Sequence, residues 1–158
     1  MPNLIKIKNQ NLLLSDSKAN FKNLYIMIDF EFLYKAVYEL IINALKFSKK
    51  NSDIIIILDC KDNDTLISII NDPIKNDKGI VGIPLEYENL IFEPFFRLDS
   101  HVFEEYDTLD YGLGLTKVEK ILEKIDAVVS FFNIKELTDV SKDPITKVTF
   151  SISIKCVK

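Results

Sequence analysis

Residues 29–70, DFEFLYKAVYELIINALKFSKKNSDIIIILDCKDNDTLISII, decide how this chain is built. Asp29 stands where a helix N-cap belongs, and Leu33, Val37, Leu40, Ile41, Ala44 and Leu45 recur at helical spacing, which predicts a helix over Phe30–Phe47. The polar stretch Ser48–Ser52 (SKKNS) then turns the chain. Asp53–Cys60 and Thr65–Ile70 are β-branched apolar runs separated by KDND, the pattern of a hairpin.

Upstream of this helix and hairpin, Leu4–Ile7, Leu12–Leu14 and Asn23–Ile28 read as three short strands. Downstream, Asn71–Pro84 is turn-rich, Leu85–Ile91 reads as a short helix, and Asp99–Tyr111 is polar, acidic and without period, which suits a mobile surface loop. Gly114–Ile125 has helical spacing, and Val128–Ile134 and Ile145–Ile154 close the chain as strands. Strands on both sides of two long helices predict an α+β fold: a two-layer sandwich whose mixed, mostly antiparallel sheet is covered on one face by helices.

A length of 158 residues suits one domain, and 47% hydrophobic residues is ordinary for a globular chain. A net charge of -4 argues against nucleic-acid binding through a basic face. Cys60 and Cys156 lie far apart with no CxxC spacing, so they read as reduced thiols in a cytoplasmic setting, not as metal ligands. The longest apolar runs are too short to cross a bilayer and the first ten residues lack the core of a signal peptide, so no membrane contact is expected.

All four glycines fall between residues 79 and 114, as the pairs Gly79/Gly82 and Gly112/Gly114. Glycine lets a backbone turn sharply or approach a phosphate closely, so two pairs suggest two loops around one ligand. On the helix, Glu39, Asn43 and either Lys46 or Phe47 share a face, where oxygen ligands and an ammonium suit a hydrated Mg²⁺ and a phosphate; a solvated helix face has the same spacing. Ile91–Arg97 (IFEPFFR) sets three phenylalanines before the acidic loop and leaves Arg97 for a phosphate, while core packing suits Phe92 and Phe95. Gly112, Leu113, Gly114 and Leu115 open the second helix, whose free N–H groups favour an anion. Neither the GxxxxGK[ST] nor the GxGxxG pattern is present.

In this order the segments resemble the ATP-binding catalytic domain of sensor histidine kinases, in the GHKL superfamily shared with gyrase and mismatch-repair MutL. The likeness spans about residues 29–125. ELIINALKFS is similar to the N box, NDKGIVGIP to the first glycine box, IFEPFFRLDS to the F box and YGLGL to the second glycine box. The resemblance implies a single ATP-binding catalytic domain over residues 1–158, an ATP lid at about 98–111, and ATP and Mg²⁺ as ligands. It makes Asn43 the Mg²⁺ ligand, Glu39 the residue that positions or polarises a metal-bound water, and Lys46 a phosphate contact, with Phe47 beside the adenine. Asp77 or Asp72 would accept a hydrogen bond from the adenine amino group. Gly79, Gly82 and Ile83 would pass close to the nucleotide, Phe92, Phe95 and Phe96 would dock the lid beside Arg97, and Gly112–Leu115 would approach the triphosphate.

The expected partners are a histidine-bearing dimerisation domain, on this or another chain, and a response regulator. Residues 1–28 do not read as the dimerising helix, and His101 lacks the surroundings of a phosphoacceptor, so the chain is expected to be a fragment of a longer kinase or a module acting on another protein. Two features depart from the family pattern: one extra residue between Gly79 and Gly82, and Asp110 where a glycine is usual. They leave room for a pseudokinase that serves partner binding. An anti-sigma-type serine kinase is a further alternative, against which the EPFFR segment argues.

Overall fold

The structure, a computed structural model, describes residues 2–16, 25–61, 63–106, 111–137 and 144–157. Its elements run α1 (Pro2–Ile7), β1 (Asn11–Asp16), α2 (Phe30–Phe47), β2 (Asp53–Lys61), β3 (Asp64–Asn71), α3 (Gly114–Glu123), β4 (Ala127–Glu136) and β5 (Ile145–Lys155). Helix α2 starts and stops as its sequence dictates. The Asp29 carboxylate accepts from the N–H groups of Glu31 at 2.9 Å and Phe32 at 3.3 Å, satisfying two donors that a helix start leaves over.

Five strands form one sheet in the order β1-β2-β3-β5-β4, with β1 parallel to β2 and every other pair antiparallel. Lys61 pairs with Asp64, and Asn63, at φ 71°, helps to turn the β2–β3 hairpin. Inward positions alternate along the strands. Ile67, Ile69 and Asn71 of β3 and Val148, Phe150, Ile152 and Ile154 of β5 are buried and share the core with Leu40 and Leu45 of α2 and Val118 and Leu122 of α3. Burial of each large aliphatic side chain contributes roughly 1.5–3 kcal/mol. The sheet's other face carries Ser68 and Ser151, hydrogen-bonded across the strands at 2.7 Å, and exposed Val128 and Phe132. This is the expected α+β sandwich with a mixed, mostly antiparallel sheet.

Leu4–Ile7 is a helix, not a strand: Leu4, Ile5 and Ile7 pack against the core from α1, a segment too short to reveal its period. Asn23 and Leu24 lie outside the described residues, and of the strand expected there only Tyr25 pairs, in a single bridge to Val157. The helix expected at Leu85–Ile91 is a 3₁₀ turn over Leu85–Tyr87, entered from Pro84 without a side-chain cap. Helix α3 ends at Glu123, before Ile125, and the chain leaves through Asp126 at φ 52°. Among the described residues no helix is long and apolar enough to cross a membrane.

Candidate functional site

An α-helix leaves its last carbonyls without partners, and the C-terminal turn of α2 meets that need with groups from four directions. Ser48 Oγ donates to the Ala44 carbonyl. Gln10 Nε2 and the Tyr106 hydroxyl each donate to the Leu45 carbonyl at 3.2 Å. Lys8 Nζ donates to the Lys46 carbonyl and, at 3.2 Å, to that of Ser48, and Ile74 N–H donates to the Phe47 carbonyl at 2.8 Å. Segment 47–49 is thereby laced to segment 72–74, with Lys49 N–H also donating to the Asp72 carbonyl at 3.0 Å.

Beside this turn a cavity of about 220 Å³ opens between α2, the end of β3, the loop that follows β3 and the start of α3. From α2 it is lined by Glu39, Asn43, Lys46 and Phe47, whose spacing of three and four residues places them on one side of the helix. Gly82 and Ile83 line it from the loop, Phe96 and Arg97 from the aromatic segment, and Gly112, Leu113, Gly114 and Leu115 from the entry to α3. That entry is bare: Leu113 at the N-cap supplies no side-chain hydrogen bond and the first turn holds no acidic residue. Its free N–H groups and the positive end of the helix dipole suit an anion.

The glycines have different reasons to be there. Gly112, at φ 71°, lies so close to the aromatic segment that a Cβ would come within 2.6 Å of the Phe96 carbonyl oxygen. At Gly82, at φ 83°, it would meet Asn133 Oδ1, also at 2.6 Å. Gly114 has an ordinary backbone and open space where its Cβ would be, so nothing within the chain requires glycine there. Gly79, at φ 78°, belongs to the turn closed by its N–H to the Asn76 carbonyl and does not line the cavity.

Four other candidates also lie outside the lining. Asp72 pairs with Lys147 at 3.5 Å, and Lys147 pairs in turn with Glu136 at 3.0 Å. Asp77 accepts from the Ser100 hydroxyl at 2.8 Å, and that hydrogen bond holds its carboxyl below the usual range. Phe92 packs against the core, whereas Phe95, expected there too, is 73% exposed at φ 66°. The rings that anchor the segment after Arg97 are Phe103 and Tyr106, both buried, with Phe103 edge-on to Phe47 at 5.2 Å. Thus the described part of the loop expected to be a mobile surface loop is pinned; residues 107–110, with Asp110, lie outside the described residues. Lys8 Nζ sits 4.8 Å from the centre of the Phe103 ring, and burial lowers the pKa of its ammonium. Arg97 donates to the His101 carbonyl.

Sequence reading missed Asn71, Asn76 and Asp99, which line the cavity, and Lys117, which forms an ion pair with Glu39. For Asn71 the signal was present: the period of two along β3 puts it in phase with buried Ile67 and Ile69 and turns Asp72 away. Asn76 is the organiser of its loop, its Oδ1 accepting from Lys78 N–H at 3.0 Å and Ile80 N–H at 2.9 Å.

Among the described residues no three His, Cys, Asp or Glu side chains gather as a metal cage. Mg²⁺ does not need one, because it keeps several waters and takes one or two protein oxygens with substrate phosphates. Asn43, whose amide has no hydrogen-bond partner among the described residues, and Glu39 one turn away fit that chemistry.

A helix face and glycine-bearing loops closing on one cavity above a mixed sheet define an α+β ligand-binding domain. The chain belongs to the family of histidine kinase-, DNA gyrase B-, and HSP90-like ATPases, whose model matches residues 28–155. Its fold is that of histidine kinase catalytic domains. It superposes on the catalytic domain of histidine kinase ThkA with a TM-score of 0.68 at 20% identity, covering 96% of this chain and 82% of that one. A mycobacterial sensor histidine kinase, MprB, gives 0.67 at 16% identity, covering 99% and 90%. Full-length ShkA in complex with AMPPNP gives 0.69 at 15% identity, covering 98% of this chain and 27% of that one. Among curated proteins none matches in sequence.

Proposed function

We propose that residues 1–158 form one ATP- and Mg²⁺-binding catalytic domain that presents the γ-phosphate to a histidine on a separate dimerisation domain, for relay to a response regulator in the cytoplasm. The observation that carries this reading is the meeting of Glu39, Asn43 and Lys46 with the bare N-terminus of α3 around one cavity. Gly114 adds to it, because its open Cβ position leaves room for a ligand to come close to the backbone.

In this reading Asn43 and Glu39 would hold the metal, and Lys46, Arg97 and the N–H groups of Gly112–Leu115 would surround the triphosphate. Bound Mg²⁺ supplies neutralisation of phosphate charge. The acceptor imidazole nitrogen forms a bond to the γ-phosphorus as the bond to the bridging oxygen breaks and ADP leaves. Chemistry of this type rests on positioning and charge stabilisation. The segment through Phe103 and Tyr106 serves as the fixed base of the lid at about 98–111.

Calorimetry with a non-hydrolysable ATP analogue and Mg²⁺ tests the binding step: saturable heat is expected, and none at millimolar nucleotide overturns the reading. Incubation with labelled ATP and a histidine-bearing dimerisation domain tests the transfer. Acid-labile label on that domain is expected, whereas acid-stable label on serine identifies a serine kinase. A second reading, a partner-binding module with a weakened site, draws on the ion pair that occupies Glu39. Under that reading Asp110→Gly restores nucleotide binding that the natural chain lacks.

A further inference from the structure

Between Val81, bridged to Lys75, and the 3₁₀ turn at Leu85–Tyr87, the chain passes through Gly82 and Ile83, both of which line the cavity. Among the described residues the backbone of this pair hydrogen-bonds to one side chain, Asn133 of β4, which does not itself line the cavity. Ile83 N–H donates to Asn133 Oδ1 at 3.0 Å, and Asn133 Nδ2 donates to the Ile83 carbonyl. A carboxamide carries a donor and an acceptor side by side, as the backbone of a strand does. Asn133 thus pairs with the loop as a further strand would, and the row Asn71–Val148–Asn133 across β3, β5 and β4 continues into Ile83.

The backbone of the loop is shaped to this contact. Gly82 is at φ 83°, and a Cβ there would come within 2.6 Å of Asn133 Oδ1 and 3.1 Å of Thr146 Cγ2. The amide oxygen therefore stands where any other residue at 82 would put its side chain, and the glycine and the asparagine act as one unit. The start of the loop is tied separately, by Ile80 N–H to Asn76 Oδ1 at 2.9 Å. Asn133 is exposed on an edge strand, so its two bonds compete with water and hold the loop without supporting the core. We propose that Asn133 is the positioning residue that fastens the Gly82–Ile83 wall of the cavity to the sheet, so that a bound nucleotide stays in place for as long as this clasp holds. The inference rests on the nucleotide reading above and adds to it a residue outside the cavity that sets how long the ligand resides there.

The probe is ADP carrying a ribose-linked fluorophore, mixed with the natural chain and its variants in the presence of Mg²⁺ and followed by stopped flow. In Asn133→Ala the dissociation rate is expected to rise about tenfold while the association rate stays within about twofold. Asn133→Asp keeps an acceptor for the Ile83 N–H but turns a second acceptor toward its carbonyl, and is expected to release ADP as fast as Asn133→Ala. Gly82→Ala opens the clasp from the other side and is expected to lose about tenfold as well. Because both changes break the same contact, the double variant is expected to lose about tenfold, not the roughly hundredfold of independent sites.

A hundredfold loss in the double variant, an unchanged dissociation rate in Asn133→Ala, or an Asn133→Asp protein as tight as the natural chain overturns the proposal. Hydrogen exchange gives a measurement without nucleotide: the Ile83 amide is expected to be at least about tenfold protected in the natural chain. An unprotected Ile83 amide overturns the proposal without any variant, and so covers the case in which a variant does not fold. If the natural chain binds no ADP, it is the nucleotide reading that has failed, and the exchange of Ile83 still decides whether the clasp exists.

Discussion

Two helix ends face the same cavity and are finished in opposite ways. At the C-terminus of α2 every one of the last carbonyls from Ala44 to Ser48 receives a donor, from Ser48, Gln10, Tyr106, Lys8 or the backbone of Ile74. At the N-terminus of α3 no side chain caps the helix and no acidic residue compensates its dipole. The saturated end is scaffold, and replacing Gln10, Tyr106 or Lys8 there is a matter of stability. The bare end leaves its first N–H groups uncapped, and in the proposed reading they face a bound nucleotide, so replacing Gly114 there is a matter of binding.

The largest effect is expected where the bare end is tied to the scaffold. Gly112→Ala drives a Cβ into the Phe96 carbonyl at a positive φ, so urea denaturation should show a loss of about 3 kcal/mol. Gly114→Ala, two residues on, should leave that curve unchanged while nucleotide affinity falls about tenfold, roughly 1.4 kcal/mol. Equal stability losses in the two variants would erase the contrast between the helix ends.

On the saturated side, Tyr106→Phe removes one of the two donors to Leu45 and should cost about 1 kcal/mol. This contribution also depends on pH. Burial pushes the Tyr106 phenol from 10.0 up to about 12, so the folded chain holds its proton more firmly; the stabilisation is full below pH 10.0 and is lost as pH rises to about 12. Alkaline unfolding curves of the two proteins should converge across that window. Smallest of all, Lys117→Ala breaks an ion pair whose lysine is 55% exposed and should change stability by under about 0.5 kcal/mol in the same assay.

Elements whose own residues decide them were legible in the sequence. Asp29 and the spacing from Leu33 to Leu45 gave α2 to the residue, and the runs either side of KDND gave the hairpin. The four segments singled out in the sequence come together, residues from each lining one cavity. What escaped was decided by packing. Six residues of α1 are too few to show a period. Type alone does not tell which phenylalanine goes inside, so Phe95 and Phe103 exchanged places: the first sits on a left-handed turn in solvent, the second beneath an acidic stretch that reads as surface. The Glu39–Lys117 pair joins residues on separate helices, a contact that exists only once the helices are docked.

The strand order has a consequence for how the protein is made. β5 is the last strand of the sheet to be synthesised, yet it lies between β3 and β4. While the chain emerges from a ribosome, β3 and β4 each present an open edge until residues 145–155 arrive to fill the gap between them. The sheet is therefore completed from its middle and at the end, and a nascent chain stalled before residue 145 carries two strand edges ready to pair with a neighbour.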